Sequence, residues 1–409
     1  MPLYLRTILS CLALTALVPL LGGCRDAAGP SPGSTLPVQV APSTPAVRVR
    51  AVPVVQGLEH PWSVAWLPGG DLLITERPGR LRLVRSGVLE AQPIPGVPEV
   101  FAVGQGGLLD VAPHPDFASN RLLYLTYSAG SGTANHTRLA RARFEGRTLS
   151  DLKVLYAVPQ LKGGAQHFGS RLLWLPDTTL LMAIGDGGNP PIRLGGELIR
   201  NQAQNPASAF GKILRFNADG TPAADGPFAA TPGALPGLWS LGHRNIQGLA
   251  LDPLHLRVWA SEHGARGGDE LNRIEEGENY GWPKVTHSRE YFGPAIAEAT
   301  SAPGLRDPEV VWTPAIAPSG LTLYTGDRYP GWRGDLFAGG LVSRQVHRLV
   351  LDQQGAVRDQ QTIPIGARVR DVRQGPDGFL YVLTDGAGDG ALLRLEPLPE
   401  GTAPSNASP

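Results

Sequence analysis

The sequence predicts an all-β fold: a six-bladed β-propeller of four-stranded blades with long inter-strand loops. Three observations carry that expectation. An apolar run, a turn rich in Pro, Gly and Asp, and a second apolar run recur six times along the chain. Glycine (52) and proline (39) are far above ordinary usage and lie between the apolar runs, which marks many turns rather than disorder. No stretch between the runs has the 3.6-residue periodicity of a long amphipathic helix.

The chain opens on a segment read as a targeting signal. Arg6 precedes the apolar run 8–21, which is short for a bilayer span and fits a signal-peptide core. The run ends in Leu21-Gly-Gly-Cys24, similar to a bacterial lipoprotein signal in which the cysteine is lipidated and becomes the new N-terminus. Residues 1–23 are therefore expected to be a lipoprotein-type signal peptide. Residues 24–47, rich in Pro, Ser, Gly and Ala, are expected to be a flexible tether. Cys11 falls in the removed part, so Cys24 stands alone and no disulfide is available. The expected location is export, with a lipid anchor at Cys24 holding the domain on the periplasmic or outer face of a membrane.

Residues 48–398 carry the hairpins. The first reads Val64-Ala-Trp-Leu-Pro-Gly-Gly-Asp-Leu-Leu-Ile-Thr75. The second runs from Leu109-Asp-Val-Ala-Pro-His-Pro-Asp116 to Leu122-Leu-Tyr-Leu125, and the third is Leu172-Leu-Trp-Leu-Pro-Asp-Thr-Thr-Leu-Leu-Met-Ala183. The fourth joins Leu249-Ala-Leu-Asp-Pro253 to Val258-Trp-Ala260, the fifth Leu321-Thr-Leu-Tyr324 to Asp335-Leu-Phe-Ala338. The sixth is Val372-Arg-Gln-Gly-Pro-Asp-Gly-Phe-Leu-Tyr-Val-Leu383. Each has the chemistry of strand, tight turn and strand. They recur every 45 to 77 residues, longer than a minimal blade, so several blades must carry long loops. A sandwich would not need six similar hairpins. Because the pattern starts near residue 51 and ends near residue 395, the ring is expected to close with strands from both ends of the chain. Residues 399–409 are expected to form a flexible tail.

The net charge is zero, from 36 basic and 36 acidic residues, which argues against nucleic acid and against an anionic membrane surface as partners. The polar residues instead concentrate on glycine-rich turns, where sites are built. Residues 241–283 hold three such clusters: Leu-Gly-His-Arg-Asn245, Ser-Glu-His-Gly-Ala-Arg-Gly-Gly-Asp-Glu270 and Asn-Tyr-Gly-Trp-Pro283. Arg244 and Asn245, side by side, can hold an oxyanion or a carboxylate. Glu262, Asp269 and Glu270 with turn carbonyls suit a hard cation such as Ca²⁺, without the spacing of an EF-hand. Upstream, His167 lies on a glycine-rich turn that opens a strand, where a neutral imidazole could take a proton from a substrate hydroxyl. Gln105, on Gly104-Gln-Gly-Gly107, could donate to a bound carbonyl. Arg368 and Arg370 alternate along a strand and so face one side of it, as a carboxylate clamp requires. Asp385-Gly-Ala-Gly-Asp389 reads as a plain hairpin turn, Trp62 and Trp66 as core, and Trp282 as exposed.

Taken together these motifs resemble the soluble glucose/sorbosone dehydrogenase family of quinoproteins, and most closely its bacterial aldose sugar dehydrogenase branch. The resemblance spans about residues 58–397 and rests on Trp62-Ser-Val-Ala-Trp-Leu-Pro68, Gly104-Gln-Gly-Gly-Leu-Leu-Asp-Val-Ala-Pro-His-Pro-Asp-Phe117, Gly242-His-Arg-Asn-Ile-Gln-Gly-Leu249, Glu262-His-Gly-Ala-Arg-Gly-Gly-Asp-Glu270, Asn279-Tyr-Gly-Trp-Pro283 and Arg368-Val-Arg-Asp-Val372. It implies a six-bladed propeller binding pyrroloquinoline quinone (PQQ) and calcium. It implies oxidation of aldose sugars at C1 to the lactone, with electrons passed to an external acceptor. By motif, His167 would be the general base and Arg244 would stabilise charge on the quinone oxygen. Gln105 and Asn245 would be hydrogen-bond partners, and Arg368 and Arg370 would hold the cofactor's carboxylates. Carbonyls of Gly264 and Ala265 would bind the calcium beside the quinone, and Asp269, Glu270 and Tyr280 would lie about a second calcium.

Three departures stand out. The family usually has proline where Ala265 stands, which costs rigidity rather than a ligand. It often has lysine where Val342 stands, so the cofactor loses a cation unless Arg344 substitutes. Some members carry an acidic residue where Gln166 precedes the base, which leaves the source of His167's basicity open. Two rival functions share the fold. A calcium-dependent lactonase or hydrolase would need carboxylates converging from the six strand openings, and few are acidic here. A non-catalytic sugar- or partner-binding propeller would not need His167, Gln105, Arg244, Arg368 and Arg370 together.

Overall fold

A computed structural model describes residues 42–43 and 48–398. Six blades, each of four antiparallel strands, follow one another along the chain, and their innermost strands make neighbours in chain order, the sixth returning to the first. Those inner strands are Pro61–Trp66, Leu108–Pro113, Leu172–Trp174, Ile246–Asp252, Pro318–Leu323 and Val369–Gln374. Each begins one of the six hairpins read from the sequence, and the partner strand pairs beside it in every case. The all-β propeller is therefore the fold of this chain.

The reason lies in what each strand has to cover. A blade is packed on both faces by its neighbours, so its middle strands are buried along their whole length rather than on alternate residues. Leu72–Glu76, Leu180–Ile184 and Leu380–Thr384 are buried at every position. Between blades 1 and 2 the packing uses Leu73, Leu81, Leu108, Leu123 and Leu125; between blades 2 and 3 it uses Tyr124, Leu139, Leu172, Leu180 and Met182. Apolar runs that looked continuous in sequence are the residues that fill these gaps.

Closure takes strands from both ends. Val49–Glu59 forms the outer strand of blade 6 and pairs with Ala387–Pro397, with Val49 opposite Pro397 and Leu58 opposite Gly390. Pro42–Ser43, within the expected tether, pair in parallel with the outer strand of blade 5, Val357–Pro364. The other expectations for residues 1–47 and 399–409 lie outside the described residues. Among the described residues no helix is long and apolar enough to cross a membrane. The helical segments named are a single turn, Phe117–Asn120, and a 3₁₀ turn, Ile199–Gln204.

The connections between inner and second strands lie at one end of the ring, and those between second and third strands at the other, together with the starts of the inner strands. The longest of the latter, residues 185–211 in blade 3 and 263–268 in blade 4, both carry residues of the candidate site.

Candidate active site

Every polar cluster singled out in the sequence lies at that second end. His167 sits just before the inner strand of blade 3 and is held at φ 52°, a left-handed conformation rare for a side-chain-bearing residue. Its backbone N–H donates to Gln105 Oε1 at 2.8 Å, so two of the sequence candidates meet directly. Its Nδ1 lies 2.6 Å from Asp186 Oδ1. Among the described residues its Nε2 has no partner, which leaves Nδ1–H as the donor and Nε2 as the free basic nitrogen.

Asp186 was not anticipated. It follows the second strand of blade 3, in Ile184-Gly-Asp-Gly-Gly188, a stretch that reads as a simple turn. The approach depends on Gly185: a Cβ there would lie 2.2 Å from His167 O and 2.9 Å from Asn245 Oδ1. Asp186 is fully engaged. Oδ1 also accepts from Gly188 N at 3.0 Å, and Oδ2 accepts from Trp282 Nε1 at 2.8 Å. Trp282 is consequently buried rather than exposed, which corrects the expectation for it. Gln166 turns away and accepts from Asn189 Nδ2, so the acidic neighbour of the imidazole comes from position 186 instead.

Electrostatics keep this histidine neutral. Burial, and then the Arg244 guanidinium, push its pKa below the ordinary histidine value, against the pull of Asp186. Arg244 donates from Nη2 to Asn189 Oδ1 at 2.7 Å and from Nη1 to the carbonyls of His263, at 3.0 Å, and Gly264. Its backbone is fixed by Glu262, which accepts from Arg244 N at 2.7 Å. Arg244 Nε is buried without a partner. Asn245 Oδ1 accepts from Gly169 N at 3.2 Å, tying blade 4 to the residues that follow the imidazole.

Beside this group lies a cavity of 240 Å³ lined by Trp62, Gln105, Phe168, Gln247, Arg368 and Arg370 among others. Both arginines of the expected clamp line it. Arg370 is buried, donates from Nη2 to Asp385 Oδ2 at 3.0 Å, and leaves its Nε buried without a partner. Arg368 lies 3.8 Å from the same oxygen and is half exposed. Asp385 is thus more than a turn residue: it faces the cavity and also meets His60 Nδ1 at 3.1 Å. Burial works to raise its carboxyl, but Arg370 and the His60 hydrogen bond outweigh that and hold it down to about 2.

The residues expected about a second calcium are spread over separate contacts. Asp269 accepts from Gly264 N at 2.8 Å and from Ala317 N at 2.7 Å. Glu270, next along the strand, points to the other face, where it lies opposite Glu262 and shares Asn272 with it. Burial and the Glu262 charge raise its pKa. Tyr280 Oη donates to Arg273 O and accepts from Glu275 N, while its ring stacks on His243 at 4.7 Å. Among the described residues no group of three or more His, Cys, Asp and Glu side chains is arranged to hold a metal ion. Ala265 is fixed by its N–H to Ser288 Oγ at 3.1 Å.

Comparison with known proteins bears on this site. The family profile described as glucose/sorbosone dehydrogenase matches residues 58–394. The uncharacterized protein slr1608 of Synechocystis sp. is 60% identical over 357 residues, covering 85% of this chain and 86% of its own. The aldose sugar dehydrogenase YliI of Escherichia coli is 38% identical, covering 83% and 91%. The solved PQQ-bound form of an aldose sugar dehydrogenase from Streptomyces coelicolor superposes with a TM-score of 0.71 at 31% identity, covering 88% of this chain and all of that one.

Proposed function

The chain belongs to the glucose/sorbosone dehydrogenase family, and from that premise we propose that it oxidises aldose sugars at C1 to the lactone, using PQQ and calcium and passing electrons to an external acceptor. The observation that carries this reading is the neutral, Asp186-anchored imidazole of His167 beside a cavity lined with guanidinium groups.

The residues fit a planar tricarboxylate quinone. Two buried guanidinium N–H groups, Arg370 Nε and Arg244 Nε, have no acceptor among the described residues, and a buried donor of this kind costs stability unless a ligand satisfies it. Arg368 and Arg370 would hold carboxylates, and Gln105 and Asn245 would fix the polar edge. The His263 and Gly264 carbonyls already converge on the positive Arg244 Nη1, which fits a turn that presents oxygen to a cation; calcium is proposed at Gly264 and Ala265 beside it. When bound, the quinone supplies a hydride acceptor that calcium polarises.

The protein's own part is proton management and positioning. His167 Nε2 takes the proton of the C1 hydroxyl as hydride leaves C1. Asp186 holds the Nδ1 proton in place and stabilises the imidazolium that results. Arg244, fixed by Asn189 and by its backbone bond to Glu262, supplies positive charge where negative charge develops. No second ion is proposed at Asp269, Glu270 and Tyr280, whose side chains make separate contacts and do not converge on one point. For location we propose export and lipid attachment at Cys24, supported by the apolar run 8–21 and Leu21-Gly-Gly-Cys24.

The test is reconstitution. Purified protein is incubated with PQQ alone, with PQQ and Ca²⁺, and with neither, and sugar-dependent reduction of an artificial dye is followed across a panel of aldoses. Reduction only when both are present is expected. Absence of reduction with every aldose, together with no PQQ uptake, would sink the proposal.

A further inference from the structure

A third arginine faces the cavity without a task. Arg77 lies on the turn between the second and third strands of blade 1, Leu72–Glu76 and Arg80–Arg85, at the same end of the ring as His167. It lines the cavity with Arg368, Arg370 and Asp385. One edge of its guanidinium is tethered, because Nη1 donates to Gly104 O, the residue before Gln105. The other edge is not: Nε is buried and has no hydrogen-bond partner. No ion pair of Arg77 is found among the described residues, and its charge is felt by both Arg370 and Asp385.

The turn is built for this approach. Gly107, at φ +136°, lies so close that a Cβ there would sit 2.0 Å from Arg77 O. Arg77 N in turn donates to His60 O at 3.0 Å, and His60 is the residue that bonds Asp385. The backbone of Arg77 is thus pinned on both sides while its side chain reaches the cavity. Around that cavity three guanidiniums, Arg77, Arg368 and Arg370, face one carboxylate, Asp385, an excess of two positive charges. Such an excess next to a buried unsatisfied donor calls for an anionic acceptor.

We propose that Arg77 is a cofactor-binding residue whose guanidinium meets a carboxylate of the bound quinone, completing with Arg368 and Arg370 a three-arginine anion clamp. This rests on the PQQ reading given above. Position 342, which follows the cavity-lining Leu341, carries an exposed, uncharged valine at 61% exposure, and Arg344, two residues on, is exposed and is not among the residues that line the cavity.

The experiment measures PQQ affinity directly, by quenching of tryptophan fluorescence in the apo-protein with Ca²⁺ present and no sugar, so that turnover plays no part. Arg77→Gln should bind PQQ about 10- to 150-fold more weakly, the range for one charge-assisted hydrogen bond. Arg77→Lys should fall between the two, and the melting temperature of apo Arg77→Gln should match that of the native protein. A double variant, Arg77→Gln with Val342→Lys, returns a positive charge without restoring the Gly104 bond and should recover part of the lost affinity. Binding by Arg77→Gln within about twofold of native overturns the proposal. So does a loss shared equally by Arg77→Lys and left unrecovered by Val342→Lys, since that pattern assigns the effect to the Gly104 loop. If the native protein itself takes up no PQQ, the quinoprotein reading fails, and that result is distinct from native binding with an indifferent Arg77→Gln.

Discussion

Replacing Asp186 by asparagine tests the hydrogen-bond partner of the His167 ring most sharply. The carboxylate receives three donors: His167 Nδ1 and Gly188 N on Oδ1, and Trp282 Nε1 on Oδ2. Asparagine offers one oxygen, so one side must lose. With its oxygen towards His167 and Gly188, the NH₂ group confronts the Trp282 N–H. The tautomer then survives, but the charge that steadies the imidazolium is gone, which costs about 1.5–3 kcal/mol, or about 10- to 150-fold in rate. With its oxygen towards Trp282, the NH₂ group faces Nδ1, the ring proton is driven to Nε2, and the base is lost, an effect that reaches about 10⁴-fold in triads of this kind. Turnover with saturating PQQ and Ca²⁺ should therefore fall by about 10–10⁴, while PQQ affinity stays near native because the cavity arginines are untouched. The pH profile adds an independent reading. Asp186 is the group that raises His167, whereas burial and Arg244 lower it, so the acid limb of kcat/KM should move to lower pH in Asp186→Asn. Turnover within about threefold of native, with an unmoved acid limb, would refute the positioning role.

Other expectations follow from the same geometry. Arg370→Ala should weaken PQQ by about tenfold or more, read by direct titration, since it removes a buried donor and leaves Asp385 with His60 and the more distant Arg368. Arg171→Met should lower the equilibrium unfolding free energy by about 3–5 kcal/mol in a denaturant titration. The reason is that Asp110 and Asp371, each 3.4 Å from Arg171 and buried, would keep Arg373 as their counter-charge among the described residues. Asp385 contributes a pH dependence of stability. Its carboxyl is held near 2 in the folded chain and lies near 4 in the unfolded one, so the unfolded state binds more protons in that interval. Its contribution, about 2 kcal/mol, is complete above pH 4 and disappears as pH falls through 2; the slope of stability against pH in that window should flatten in Asp385→Asn.

Much of the architecture was legible because it is written locally. A blade's inner hairpin is two apolar runs about a Pro, Gly and Asp turn, and all of that lies within a dozen or so residues, as in Val64 to Thr75. The candidate residues on glycine-rich turns were legible for a similar reason, since His167, Gln105, Arg244 and Arg370 announce polar chemistry where a strand opens. What could not be read was convergence. Trp282 meets Asp186 across 96 positions and two blades, and nothing near Asn-Tyr-Gly-Trp-Pro signals that its indole turns inward. Asp186 and Asp385 each stand in glycine-rich turns, where aspartate is commonplace, so Asp385 read as an ordinary turn residue and Asp186 carried no signal of its own. Only the ring, by bringing six strand ends to one opening, tells a turn residue from a site residue.

The way the ring is closed has a consequence for how the chain must be made. The outer strand of blade 6 is synthesised before every other strand of the six four-stranded blades, and its partner is the last; Arg50 and Glu396, paired across that seam, are 346 positions apart. Contacts of such separation form late and slowly. Until residues 387–397 emerge, five blades can assemble, yet the segment Val49–Glu59 has no strand to join, and the growing arc presents a bare edge able to recruit another chain. Without residues 387–397, Val49–Glu59 and Leu380–Thr384 lose the strand that lies between them in blade 6. The seam therefore acts as a completeness check on synthesis, one that a chain passes only after its final strand is delivered.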